Sequence, residues 1–414
     1  MTHTSPKRSL LWATVALTGA LTGALAMGAA AQENDQEDEV GLTHYRLFVG
    51  DHADNVVRAI ELEDGADAGT FEIAQTPALT PSDSGRTLFA VQGDAGTVAT
   101  IDTGIAFEDH GDHADISVTD AALLPATIDG TTPAHVIEGS GTIAIFDDGS
   151  GDVTLFSEGD LTTEGFAPAT IPTGAAHHGL AAPMGDYLVV SVPAEDPEAP
   201  RVGLRVIDTA GNAVGEVVDC PGVHGQAQSA RVFAFGCQDG IVLATPGAGA
   251  EPPVLEHIST TDLGEGNVST LKGGKAMQFF LGNFGADAVV VIEPGSDDPF
   301  NVIPLPTRRV DFALDPAKAQ NAYILTEDGQ LHLLDVLKGE IIQSARVTAP
   351  YSMDGEWRDP RPRLAVAGDH IAITDPNAGL IRVISTATLE EERTIPVAGT
   401  PYTIVAVGGS GATD

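Results

Sequence analysis

Helix signals are nearly absent from this chain. Its apolar residues do not recur at helical spacing. They fall in short alternating or continuous runs of four to eight, rich in Val, Ile, Phe and Thr and bounded by Gly, Asp, Asn or Pro, which leaves an all-β fold. Long hydrophobic runs are missing too once the first 31 residues are passed, because no later stretch approaches the ~18 unbroken apolar residues of a membrane span. Basic residues are scarce: 20 Lys and Arg stand against 59 Asp and Glu, a net charge of −39. Such a polyanion repels nucleic acid and anionic membranes and attracts cations; most of its carboxylates read as a solvated surface. No G-x-S-x-G elbow, phosphate-binding loop or H-E-x-x-H helix is present, so the familiar catalytic signatures are lacking. Cysteine is limited to Cys220 and Cys237. Without a C-x-x-C pattern they read as a disulfide formed in an oxidising compartment, closing a loop of about 17 residues and adding ~3 kcal/mol.

The beginning of the chain explains that compartment. Residues 1–31 combine a basic start (Lys7, Arg8), an apolar run from about Leu10 to Met27 and an Ala29-x-Ala31 cleavage pattern, the marks of a secretory signal peptide. No cysteine follows the run, which argues against a lipid anchor. Residues 32–41 ("QENDQEDEVG") form a charged leader with no pattern, expected to be disordered. Residues 42–408 are expected to form one domain and residues 409–414 a flexible tail.

Within that domain one design recurs: an apolar strand, a tight D-G, D-A-G or N-A-G turn, then a second apolar strand. These hairpins begin near Tyr45, Thr87, Thr142, Tyr187, Val232, Met277, Ala322 and His370, at intervals of about 40 to 50 residues. Four-stranded repeats of that length specify a single β-propeller, here with eight blades, or seven if one hairpin is decoration. A two-sheet sandwich fits the regular repeat less well. "VAGTPYTIVAVGGSG" resembles "AQTPALTPSDSGRTLF" at the start of the second unit. Thr400 to Val407 are therefore expected to form an inner strand that completes the blade opened near Tyr45. The segment Phe107 to Gly130 interrupts the second unit as an excursion on one face.

Three consecutive units carry a histidine just upstream of the hairpin: His135, His178 and His224, spaced by 43 and 46 residues. In a propeller that upstream segment is the innermost strand, so three imidazoles from adjacent blades can converge and bind a borderline cation such as Zn²⁺. His177 precedes His178, and successive side chains point oppositely along an extended strand, so either could be the inward one. A second cluster, "FEDHGDHADI", offers Asp109, His110, Asp112 and His113 as a mixed His and carboxylate site, with Glu108 and Asp115 beside them. His44 and His52, with Asp51 and Asp54, are weaker candidates. His257, His332 and His370 share no spacing and read as structural.

Together the His-His-Gly segment, "CPGVHGQAQSARVFAFGCQDG", "HVIEGSGTIAIFDDGSGDVTLF" and the Asp/His loop resemble the AztD-type periplasmic zinc metallochaperones, from about His44 to the C-terminus. The resemblance implies a β-propeller that binds Zn²⁺ and hands it to the solute-binding protein of a zinc ABC transporter. It also implies that His135, the His177–His178 pair and His224 correspond to the family's His-bearing blade segments, and His110 and His113 to its acidic loop. The expected protein is periplasmic, monomeric and not an enzyme, without a nucleic-acid partner or membrane insertion. Two other readings compete. One is a metal-dependent hydrolase of the lactonase type, which needs an open metal position and a nearby general base. The other is a propeller that only binds proteins, in which the histidine spacing is incidental.

Overall fold

In a computed structural model of the chain, the structure describes residues 43–110, 114–196 and 199–411. The expected signal peptide (residues 1–31) and acidic leader (residues 32–41) lie outside the described residues. Eight four-stranded antiparallel sheets form a ring of blades, as the hairpin count predicts. Among the described residues there is no α-helix. Blades are numbered here in the order in which their hairpins occur. In blades 2 to 8 the chain runs outward from the inner strand to the outer strand, then crosses to the inner strand of the next blade.

Blade 1 is assembled from both ends of the domain. Its inner strand is Pro401–Ser410, antiparallel to Thr43–Asp51, with Phe48 opposite Val405. This is the closure expected from the two T-P segments. The strand runs to Ser410, opposite Thr43, two residues past the boundary at which a tail was expected.

The strand patterns follow from position in the blade. Second strands are sandwiched between neighbouring blades, so Thr87–Gln92 and Thr142–Asp147 read as near-continuous apolar runs and are almost wholly buried. The outer strand Glu340–Arg346 alternates exposed and half-buried positions because one of its faces meets water. Buried clusters join successive blades; one unites Val189 and Leu204 of blade 4 with Phe233, Phe235 and Val242 of blade 5.

This topology defines two faces. The connections into the inner strands and the turns between second and third strands lie on the upper face. The turns between inner and second strands, and between third and outer strands, lie on the lower face. The excursion in blade 2 is smaller than expected. Ala122–Asp129 is that blade's own outer strand, pairing with Thr97–Asp102, and only the hairpin Ile105–Asp109 with Ala114–Val118 is extra. It springs from the lower face, where buried Arg46 donates to the carbonyls of Thr103 (2.5 Å) and Thr119 (2.9 Å) at its base. Also on the lower face, Lys275 of blade 6 pairs with Asp83 of blade 2, the blade opposite in the ring, at 2.8 Å.

Cys220 and Cys237 are joined in a disulfide, linking the exit of blade 4 to blade 5. Thiol labelling of the unfolded, unreduced protein is expected to find no free thiol. Reduction should lower stability by ~3 kcal/mol in chemical denaturation.

Candidate metal centre

The connections into the inner strands are held by a recurring grip. In seven blades a group at or next to the end of the second strand accepts hydrogen bonds from backbone N–H groups of the incoming connection; Gln92 of blade 2 accepts from Ala74 (2.5 Å) and the Thr374 hydroxyl of blade 8 from Arg363 (2.9 Å). Asp51 accepts from Thr400 (2.8 Å). Asp147 accepts from Thr131 (2.5 Å) and Thr132 (3.0 Å), and the Ser191 hydroxyl from Leu180 (2.9 Å). The Gly236 carbonyl accepts from His224 (3.0 Å), and Asn283 from Ser269 (2.9 Å) and Thr270 (2.6 Å). Backbone donors that would otherwise be orphaned in an irregular segment are thereby satisfied, and the segments that carry the histidines are fixed.

His135 lies on the inner strand Pro133–Gly139 of blade 3, at a break in its pairing register. His178 and His224 lie just ahead of the inner strands Ala181–Met184 and Gln226–Ser229 of blades 4 and 5. Their ligand nitrogens all fall within 4.8 Å of one another. The Nε2 atoms of His135 and His178 are 3.4 Å apart. Two nitrogens bound to one tetrahedral Zn²⁺ at ~2.0–2.1 Å would stand about 3.3 Å apart, so this spacing already matches one edge of such a site.

Two of the three imidazoles are oriented by partners that can only accept a proton. His178 donates through Nδ1 to Asp148 (2.5 Å), and His224 through Nδ1 to the Ser269 carbonyl (2.9 Å). In the neutral rings this leaves each Nε2 with its lone pair free for a cation, the usual arrangement around metal-binding histidines. The second Asp148 oxygen accepts from Gly179 N–H (3.1 Å). Glycine is required there, because a Cβ would meet Phe146, Ser191 and His177 at 2.5–2.6 Å. Gly225, at φ +73°, makes the turn that sets His224 against Ser269. Burial, reinforced by the neighbouring His178 and His224, pushes His135 down to about 4. Burial also lowers His224, partly offset by its bond to Ser269. The cluster is thus a three-nitrogen cradle with one tetrahedral position left for another ligand.

Comparison with known proteins places this cradle in context. The curated zinc chaperone AztD of Citrobacter koseri is 46% identical over 372 residues, covering 89% of this chain and 88% of the relative. The chain belongs to the AztD family of zinc chaperones. The crystal structure of Citrobacter koseri AztD superposes with a TM-score of 0.86 at 45% identity, over 90% of this chain and all of that one. Apo AztD from the same organism gives 0.85 at 44% identity, with the same coverage. The dihydro-haem d1 dehydrogenase NirN shares the fold alone (TM-score 0.57, 15% identity, 87% of this chain and 74% of that one). No protein-family model matches.

The remaining AztD-type candidates sort by geometry. His177 turns away from the cradle: its Nδ1 meets the Ala175 carbonyl (2.7 Å), its Nε2 meets Ser191 (2.8 Å) and its ring packs edge-on to Phe146. Of the adjacent pair, His178 is the one brought to the cluster. His110 bonds Asp115 at 3.1 Å on the lower-face hairpin, at the other face of the ring from the cradle. Asp112, His113 and the side chain of Asp109 lie outside the described residues. His44 pairs with Glu61, and His52 with the Arg358 carbonyl. His332 is buried between Thr326 and Ser344. Cys237, Asp239 and His257 also converge, but the sulfur is committed to the disulfide. Asp148 escaped the reading of the sequence because "FDDGSGD" is an ordinary tight turn. Only the blade order brings that turn of blade 3 against the connection into blade 4.

Replacing His135, His178 or His224 with Ala should cost more zinc affinity than the ~10–100-fold typical of an outer partner, and Asp148→Asn should fall within that range. His257→Ala and His332→Ala should leave affinity unchanged by competition titration. A pH series offers a second check. The lowered imidazoles resist protonation below 6.5, so zinc release at limiting metal should have its midpoint below that value. In the metal-free protein, as pH falls from 6.5 toward about 4, the unfolded chain takes up protons that the folded cluster refuses, so stability should decline across that window. Zinc release centred at or above 6.5 would contradict this geometry.

Proposed function

We propose that this protein is a periplasmic metallochaperone that holds Zn²⁺ at His135, His178 and His224 and passes it to the solute-binding protein of a zinc ABC transporter. The observation that carries this reading is the convergence of three ring nitrogens within 4.8 Å, two of them on rings whose Nδ1 atoms are already committed. Membership of the AztD family supports zinc as cargo, and the reading of residues 1–31 as a signal peptide supports the periplasm.

Three protein ligands suit delivery. An incoming donor from the acceptor can take the fourth position before any imidazole leaves, so the ion is never stripped bare. The hydrolase reading fits less well. Asp148, the carboxylate in contact with the cluster, has both oxygens engaged and does not serve as a general base. The hairpin bearing Asp109, His110, Asp112 and His113 acts as a weaker capture element on the lower face, where its acids raise the local cation concentration.

Zinc-loaded protein mixed with an apo solute-binding protein from a zinc ABC transporter should lose its metal to that acceptor. The His178→Ala variant should fail to load. Replacing His110 and His113 together should lower zinc content by no more than a single equivalent and slow capture or transfer. Retention of zinc by the unaltered protein in the presence of the apo acceptor would count against the proposal.

A further inference from the structure

The connection from blade 7 into blade 8, residues 347–363, lies on the upper face and is built as a rigid strap. Its root is tied by Tyr351, whose hydroxyl donates to Asp375 (2.7 Å), and by Arg308, which pairs with Asp354 (2.9 Å). Its interior is knitted by Arg361. That guanidinium is 4% exposed and donates to the carbonyls of Ser352 (2.9 Å), Asp354 (2.8 Å) and Glu356 (2.9 Å). Its tip reaches over blade 1 to blade 2: His52 meets the Arg358 carbonyl at 2.9 Å, and Arg358 pairs with Asp94 at 2.6 Å. Gly93, next to Asp94, borders the strand of His135, since a Cβ there would stand 3.1 Å from the Pro133 carbonyl.

At that tip Trp357 is 74% exposed, with the Arg358 guanidinium stacked 4.6 Å from its ring centroid. The chain's other tryptophan is Trp12, in the signal segment. A buried arginine and two tethers thus hold one large aromatic ring in water, on the face that carries the zinc cradle. Tryptophan is among the residues most often dominant in protein interfaces, and a preordered side chain loses little entropy on docking. Around it stand the exposed carboxylates of Asp354, Glu356 and Asp359, of which Asp354 pairs with Arg308 and Asp359 with Arg361.

We propose that this strap is the docking element for the protein that accepts zinc, with Trp357 as its anchor; this rests on the function proposed above. The matching surface on the acceptor is an apolar pocket for the indole within a basic rim. The protein's overall charge of −39 attracts such a rim at long range, an attraction that weakens with salt.

The test uses the zinc-loaded protein, the apo solute-binding protein and the chelator EDTA. Trp357→Ala should slow transfer to the acceptor by roughly tenfold or more, with Trp357→Phe intermediate. Zinc affinity and extraction by EDTA should match the unaltered protein. Labelling with fluorotryptophan leaves a single reporter after signal cleavage. Its fluorine resonance should shift on adding the acceptor and stay fixed on adding zinc alone. Transfer by Trp357→Ala at the normal rate, or a resonance that the acceptor does not move, would overturn the strap's role while leaving the zinc reading intact. A shift that tracks the protein's own concentration would assign the tip to self-association and overturn it as well. Failure of the unaltered protein to deliver zinc would overturn the chaperone reading itself, and the strap's role with it.

Discussion

In blades 3 to 6 the grip between the end of the second strand and the connection entering the inner strand is the interaction on which the candidate metal centre depends. A histidine on a free connection would have to be ordered at a backbone cost of ~1–2 kcal/mol per residue before it could bind anything. Here Asp147, Ser191, Gly236 and Asn283 order those segments as part of folding. The same contacts fix the orienting groups. Asp148 follows the gripping Asp147, and the Ser269 carbonyl belongs to the segment that Asn283 holds. Blades 3 to 6 therefore act together: the second-strand turn of blade 3 aims His178 of blade 4, and the segment entering blade 6 aims His224 of blade 5.

Under the proposed assignment, the contrast between surface and cradle decides which cations stay. Fifty-nine carboxylates draw in any cation, and hard ions such as Ca²⁺ and Mg²⁺ prefer oxygen ligands. The cradle presents three ring nitrogens instead, with the Asp148 carboxylate turned to His178. Attraction is thus indiscriminate at long range, while retention favours borderline metals that accept imidazole. Burial strengthens this division, because it keeps His135 unprotonated and so available to metal.

Much of this architecture could be read from the residues because it repeats. Eight hairpins announced eight blades, the two T-P segments announced the closure, and three histidines at blade intervals announced the cluster. What stayed hidden depends on contacts between units. The one-residue offset of His178 left His177 equally plausible, and the choice is made by Ser191 and the Ala175 carbonyl, which hold His177 elsewhere. The outer strand Ala122–Asp129 was concealed behind an inserted hairpin that lengthens its blade. The two histidine clusters were readable as motifs, but the placement of His110 on the face opposite the cradle emerges only from strand direction.

The seam in blade 1 also has a consequence in time. Ribosomal synthesis proceeds from the N-terminus, and Pro401–Ser410 is made after every other strand. Until it arrives, Thr43–Asp51 presents an unpaired edge through the synthesis of the seven blades that follow, which is the kind of exposure that invites association with other chains. The nascent protein is therefore most vulnerable when it is nearly complete, and holding that edge apart from other strands is a task for whatever accompanies the chain until its last strand is in place.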